Sequence, residues 1–354
     1  MDHISNLPDG VLCHILSFLT TKEAALTSIL AKRWLNLVAF VPCLTIDDTV
    51  FLHPEKGKRD REDMRQSFMN FVERVLALQI KFPLKRFSLN CFTVVDMDRV
   101  DGWISSVLAR GVSDLDLQII NNEEFYQLSP KWFECSTLVS LKISFGIDIG
   151  WVAGSVSLPL LKTLVLDWVM VSPTDFVTLL HALPSLDELV LVDVMWKDME
   201  DVTVSSASLK TLTIKLNEWL YALSFDTPSL VHFEYSGLVA LDYPVVNMGN
   251  LVDAQINFSE IHIKQLGEPD NPEDALRFSN VSKLFLGMRN VPNLSLLPIT
   301  LQVRFLIQFL EHMNKRRSSF ETLIPKMFCF VLSCLVLLSG AFYVDIRVYA
   351  HQLT

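Results

Sequence analysis

The sequence predicts an α+β chain: three short helices at the amino terminus, then a solenoid of stacked, strand-bearing repeats. Two patterns predict it. Over the first forty-odd residues apolar side chains recur at helical spacing. From Leu84 onward a set of the form apolar–x–x–apolar–x–apolar returns again and again. A formal charge of -10 over 354 residues adds an exclusion, because phosphate contacts need a basic patch and nucleic acid is therefore not an expected partner.

The helical head comes first. Val11, Leu12, Ile15, Leu16 and Leu19 sit at helical spacing, so a first helix has an apolar face. Pro8 suits its start, where a missing N–H costs nothing. Thr20 followed by Glu23 is a capping-box pattern and begins a second helix through Ala24, Ala25 and Leu26. A third helical stretch, from about Ile29 to Phe40, brings Leu30, Trp34, Leu37 and Val38 to one side. Three such helices are too small to bury all these groups by themselves. A partner helix is expected to cover the remainder, with aliphatic anchors and one aromatic hot spot.

The motifs of this head are Leu7-Pro8-Asp9, the helix ending Leu16-Ser17-Phe18-Leu19, the Lys22-Glu23-Ala24 step and Lys32-Arg33-Trp34. Together they resemble an F-box, in the form that opens plant F-box proteins with leucine-rich repeats. Gly10 stands where that family usually has glutamate, and Val38 where tryptophan is frequent. The resemblance implies a receptor subunit of a Skp–cullin–F-box ubiquitin ligase that carries no catalysis of its own. Leu7, Pro8, Ile15, Leu16, Leu19, Ile29, Leu30 and Trp34 would dock a Skp-type adaptor bound to a cullin scaffold, and the repeats would hold a protein substrate. The alternative is a repeat-based interaction scaffold whose F-box is vestigial, which Gly10 and Val38 favour.

The head is expected over residues 1–48. A charged linker and connecting helix follow at 49–83, with Phe68, Phe71, Val72, Val75 and Leu76 marking the helix. The repeats are expected over 84–290. Their sets are Leu84/Phe87/Leu89, Val112/Leu115/Leu117, Leu138/Leu141/Ile143 and Leu161/Leu164/Leu166. Leu186/Leu189/Leu191, Leu209/Leu212/Ile214, Leu230/Phe233/Tyr235, Leu251/Ala254/Ile256 and a ninth set, Val281/Leu284/Leu286, continue the series. The starts lie 21 to 30 residues apart, close to the leucine-rich-repeat period. One unit cannot bury its own apolar face, so neighbours must stack around a parallel sheet, and the resemblance implies a right-handed horseshoe. A doubly wound α/β domain is the competing fold, but no phosphate-binding glycine loop is present.

Alternation along the strands turns a second group of residues outward. Thr163, Val165, Asp167, Glu188, Val190, Thr211, Thr213, Lys215, His232, Glu234, Asp253 and Gln255 are therefore the candidate substrate-binding residues. No metalloprotease, nucleophile-elbow or Cys–His pattern occurs, so no enzyme activity and no cofactor are expected. The cysteines at 13, 43, 91, 135, 329 and 334 lack zinc-ligand spacing, which excludes a metal site, and disulfides are not expected. Asp2 and His3 lead directly into the head, so no signal peptide is expected and the compartment is the cytoplasm or nucleus. The sequence Asn-x-Ser at Asn257, Asn280 and Asn293 is then a chance match.

After about Asn290 the repeat register is lost to a divergent tail, 291–354. Within it the eighteen residues 327–344 carry no charge and are marginally long enough to span a bilayer. Lys315, Arg316, Arg317 and Lys326 precede them, which would keep the body cytosolic. A tail anchor, a buried cap on the last repeat and an aberrant terminus all fit this segment, and carbonate extraction separates the first from the others.

Overall fold

The computed structural model describes residues 7–27, 32–50, 62–78, 84–92, 95–120, 125–150, 156–198, 201–218, 220–258 and 272–296. The chain divides into two compact units, Met1–Met170 and Val171–Thr354. The uncharged segment 327–344, the candidate anchors Ile29 and Leu30, and most of the charged linker lie outside the described residues. Among the described residues no helix is long and apolar enough to cross a membrane.

The first unit opens with α1 (Asp9–Leu16) and α2 (Thr21–Leu26), followed by a 3-10 helix over Lys32–Phe40. Pro8 is the residue before α1, and its carbonyl accepts from the Val11 and Leu12 amides at 2.9 and 3.1 Å. The capping box forms as expected. The Thr20 amide donates to Glu23 Oε2 at 2.9 Å and the Glu23 amide donates to Thr20 Oγ1 at 3.3 Å. The backbone bond from Thr20, then its hydroxyl, holds the Glu23 carboxyl below the usual carboxylate range. A depressed pKa means that the cap is complete above the ordinary carboxylate range and is lost as pH falls through the lowered value.

Leu12, Leu16, Ala24, Trp34, Leu37, Val38 and Val41 close into a small core, with Leu7 and Cys13 packed against it. Val41 links this core to the sheet, because β1 (Cys43–Asp47) begins two residues later. The Thr45 amide of β1 donates to Thr21 Oγ1 of α2 at 2.9 Å, so the head caps the open edge of the first strand.

The rest of the first unit runs α3 (Glu62–Leu78), β2 (Arg86–Cys91), α4 (Met97–Ala109), β3 (Asp114–Ile119), β4 (Tyr126–Gln127), β5 (Ser140–Ile149) and β6 (Thr163–Val171). Its sheet has the order β1-β2-β3-β5-β6. Cys43, Arg86, Asp114 and Ser140 share one row of parallel partners. The helices fill the long intervals between strands. α3 buries Phe68, Val72, Val75 and Leu76, and α4 buries Val100, Trp103, Ile104 and Val107. Phe68 meets Trp103 edge-on at 6.4 Å between ring centroids.

Coils are also tied by side chains. Asp48, 1% exposed, receives the Phe92 amide on both carboxylate oxygens at 3.0 Å. Asp48→Ala leaves that part-buried amide without its charged acceptor and is expected to cost about 1–3 kcal/mol, read as a lower urea midpoint.

The second unit contains α5 (Pro173–His181), β7 (Glu188–Val192), β8 (Met195–Trp196), β9 (Val202–Ser205), β10 (Thr211–Leu216), β11 (Leu223–Asp226) and β12 (His232–Gly237). It continues with β13 (Val246–Asn247), β14 (Asp253–Phe258), α6 (Pro272–Gly287) and β15 (Asn293–Leu296). The main sheet is β7-β10-β12-β14-β15, and a smaller parallel sheet is β13-β11-β9. Thr211, His232 and Asp253 pair in one row of the main sheet, and Val202 pairs with Leu223 in the other. In this unit β9, β11 and β13 each lie between two main strands, whereas α6 fills the long interval before β15. α6 reaches β13 closely at Gly287, where an added Cβ would lie 2.1 Å from Val246 Cγ1.

All residues of the first eight expected sets are buried, and each main-sheet strand starts two residues after its set begins. The ninth set is corrected. Val281, Leu284 and Leu286 lie on α6, not on a strand. The ninth position is taken by Val291/Leu294/Leu296, where β15 pairs with β14, so the repeat sheet continues beyond position 290. A further set, Val41/Leu44/Ile46, supplies β1 in the first unit. These two sets start 43 and 40 residues from their neighbours, outside the 21 to 30 residue spacing, because α3 and α6 occupy the intervals. The chain is an α+β protein, a helical head followed by a repeat solenoid of stacked coils.

Candidate functional site

Two surfaces can bind a partner. The first is on the head. α1 presents apolar residues in two directions rather than one. Leu12 and Leu16 point into the core, whereas Val11, Ile15, Phe18 and Leu19 form an exposed strip along and just after the helix. Phe18 is 76% exposed, with its ring edge-on to His14 at 4.9 Å. Adjacent Pro8 is exposed and Leu7 half-buried. A continuous apolar strip on so small a module marks a contact surface.

The expected adaptor residues therefore divide. Ile15 and Leu19 lie on the strip, with Pro8 and Leu7 beside it. Leu16 is fully buried and Trp34 is 4% exposed, so both hold the head together from inside. Val11 and Phe18 were not among the expected anchors. Their spacing with Ile15 was the available signal, since residues three and four apart share a helix face. Gly10, within α1, has open space where a Cβ would stand. Gly10→Ala is expected to raise the stability of the head by roughly 0.5–1 kcal/mol, seen as a higher unfolding midpoint.

The second surface is the outward ladder of the main strands. In the second unit Glu188, Thr211, His232 and Asp253 form one row, and Val190, Thr213, Glu234 and Gln255 the next. Lys215 follows in a third row beside Val192 and Ser236. His232 Nδ1 lies 3.0 Å from Asp253 Oδ2, and Asn293 Nδ2 donates to the other oxygen of Asp253 at 2.7 Å. All nine expected residues of these strands are half-buried or exposed.

The remaining three, Thr163, Val165 and Asp167, are half-buried on β6 of the first unit. There the ladder also contains Arg86, Asp114 and Ser140 in one row, and Ser88, Asp116 and Lys142 in the next. Lys142 Nζ stands 3.8 Å from Asp116 Oδ1. These were absent from the expected group, although the same alternation around Phe87, Leu115 and Leu141 marks them.

The buried titratable groups have structural roles. Burial, then Asp48 and Asp47, pushes the Cys91 thiol well up, so it stays protonated and unreactive at neutral pH. Burial pushes Tyr243 up to about 12. Its hydroxyl receives the Ala240 amide at 3.2 Å and donates to Tyr235 Oη at 3.4 Å. Among the described residues no three His, Cys, Asp or Glu side chains converge on a metal-sized site.

An exposed apolar strip on a helical head, followed by coils that present a polar ladder, defines a repeat scaffold. The F-box domain model matches residues 4–44. The model described as FBD-associated F-box protein At5g56370, LRR repeats, matches 100–241. The F-box protein At3g59000 of Arabidopsis thaliana is 59% identical over 86% of this chain and 64% of its own length. The F-box/LRR-repeat protein At3g58900, also of Arabidopsis thaliana, is 50% identical over 86% of this chain and 97% of its own. The chain belongs to the F-box/LRR-repeat proteins. It spans just under two thirds of the length of At3g59000.

Proposed function

We propose that this chain is the substrate-recognition subunit of a Skp–cullin–F-box ubiquitin ligase. The observation that carries the reading is the exposed strip Val11, Ile15, Phe18 and Leu19 on a domain that matches the F-box model. A Skp-type adaptor covers this strip with its own helices, and the adaptor is held by a cullin scaffold. The ladder holds a protein substrate. Ubiquitin transfer follows from proximity, because holding the acceptor near a charged carrier makes a bimolecular step effectively intramolecular. The chain itself supplies binding and orientation. We place its action in the cytoplasm or nucleus, a reading that Cys13, Cys43, Cys91 and Cys135, all free thiols among the described residues, support.

The test is calorimetric titration of the full chain with purified Skp-type adaptor. The double variant Ile15→Ala/Phe18→Ala is expected to lose about 2 kcal/mol or more of binding with an unchanged circular dichroism spectrum. Equal affinity for the variant and the unmodified chain would remove the strip from the interface. No binding by either would favour a repeat scaffold with a vestigial F-box.

A further inference from the structure

The residue seven positions after a set begins ends β2, β3, β10, β12 and β14, whereas β5 and β6 run on past it to Ile149 and Val171. In four coils that residue is apolar and turns inward: Cys91, Ile119, Leu216 and Phe258 are all buried. In the first unit two neighbouring coils break this rule with aromatic residues. Phe145 and Trp168 adopt φ of 63° and 55°, left-handed values that a Cβ disfavours. The left-handed turn sends both side chains out of the core. Phe145 is half-buried, Trp168 is 49% exposed, and their rings lie 6.4 Å apart at 47°. The same position takes a positive φ in two later coils, at Asp193 with 47° and at Gly237, where a glycine bears no such cost. Two large apolar side chains are thus held outward against both burial and backbone preference. An outward aromatic pair at a left-handed position points to a contact.

The surrounding charge indicates what that contact is. The ladder of the first unit carries Asp47, Asp114 and Asp116 against Arg86 and Lys142, with Asp167 outward on β6, within a chain of formal charge -10. Asp167 immediately precedes Trp168. A negative field draws a positive partner, and indole is the best ring face for a cation, most often arginine.

We propose that Trp168, braced by Phe145, seats an arginine side chain from a basic segment of the protein substrate. The proposal rests on the reading of the ladder as the substrate surface and names the chemistry recognised there. It also explains why tryptophan, rather than glycine, occupies a left-handed position.

The experiment measures fluorescence anisotropy of labelled acetyl-(Gly-Arg)4 amide with the full chain, beside the Gly-Glu and Gly-Leu peptides of equal length. The variants are Trp168→Gly and, on the ladder, Asp116→Asn. Trp168→Gly is expected to weaken the arginine peptide about threefold or more, while its thermal midpoint stays the same or rises. The glutamate peptide should not bind, and the leucine peptide should bind more weakly than the arginine one. Equal affinity of Trp168→Gly and the unmodified chain would overturn the proposal, as would equal binding of the leucine and arginine peptides. So would failure of the unmodified chain to bind the arginine peptide, or a lower thermal midpoint of Trp168→Gly, which would make the indole a packing group. Arginine-peptide binding weakened by Asp116→Asn but not by Trp168→Gly would discard Trp168 and keep the ladder as the binding surface. The adaptor titration is independent of every one of these outcomes.

Discussion

Trp34→Ala is expected to unfold the helical head. The indole is 4% exposed and sits among Leu12, Leu16, Ala24, Leu37, Val38 and Val41. Removing a buried tryptophan costs about 3–5 kcal/mol through lost transfer and the cavity left behind. A module of three short helices has little stability to spare. Far-UV circular dichroism and urea denaturation of the full chain should show loss of the head, with adaptor affinity falling as a consequence. Leu16→Ala should behave alike. Ile15→Ala/Phe18→Ala should do the opposite, keeping the helices and weakening the adaptor. If Trp34→Ala kept its helical signal and urea midpoint yet lost the adaptor, Trp34 would be an interface residue and this account of the core would fail.

Gly237→Ala should be nearly as damaging to the second unit. Gly237 ends β12 with φ of 108°. A Cβ there would lie 1.8 Å from the Leu216 carbonyl oxygen and 2.7 Å from its carbon. That oxygen accepts from the Leu238 amide at 2.8 Å. The added methyl must therefore push β10 and β12 apart at their ends, breaking a coil-to-coil hydrogen bond as well as straining φ. Backbone strain and an orphaned amide together amount to roughly 3 kcal/mol. A urea midpoint unchanged within error would mean that the coil end yields freely, and would remove the steric argument.

The repeat body was legible because its signal is local and repeated. An apolar set such as Leu161/Leu164/Leu166 fails to distinguish a strand from chance, but eight of them at similar spacing describe one buried edge of a stack. The capping box at Thr20 and Glu23 was legible for the same reason, since both partners lie within one helical turn. Val281/Leu284/Leu286 shows where this fails. Residues spaced at three and five occur on a helix as readily as on a strand, and α6 uses two of them, Val281 and Leu284, to bury its inner face. The true set, Val291/Leu294/Leu296, lay just past the point where the spacing rule stopped.

On the head, the pattern of apolar positions established that α1 is a packed helix but not which neighbours take each face. Leu16 and Ile15 are adjacent in sequence and equally apolar. One lies in a core shared with Trp34 and Leu37 while the other meets solvent, and that choice belongs to the position of the 3-10 helix.

By itself, then, the sequence determined the helical head, its cap, the coil period and the alternation of the ladder, because each depends on residues a few positions apart. Only the tertiary structure decided that Leu16 and Trp34 face inward, that Val41 and Val291 begin true repeats, and that Phe145 and Trp168 turn out of the core. Those outcomes depend on which surfaces meet across long stretches of chain, and burial is a property of the meeting rather than of the residue.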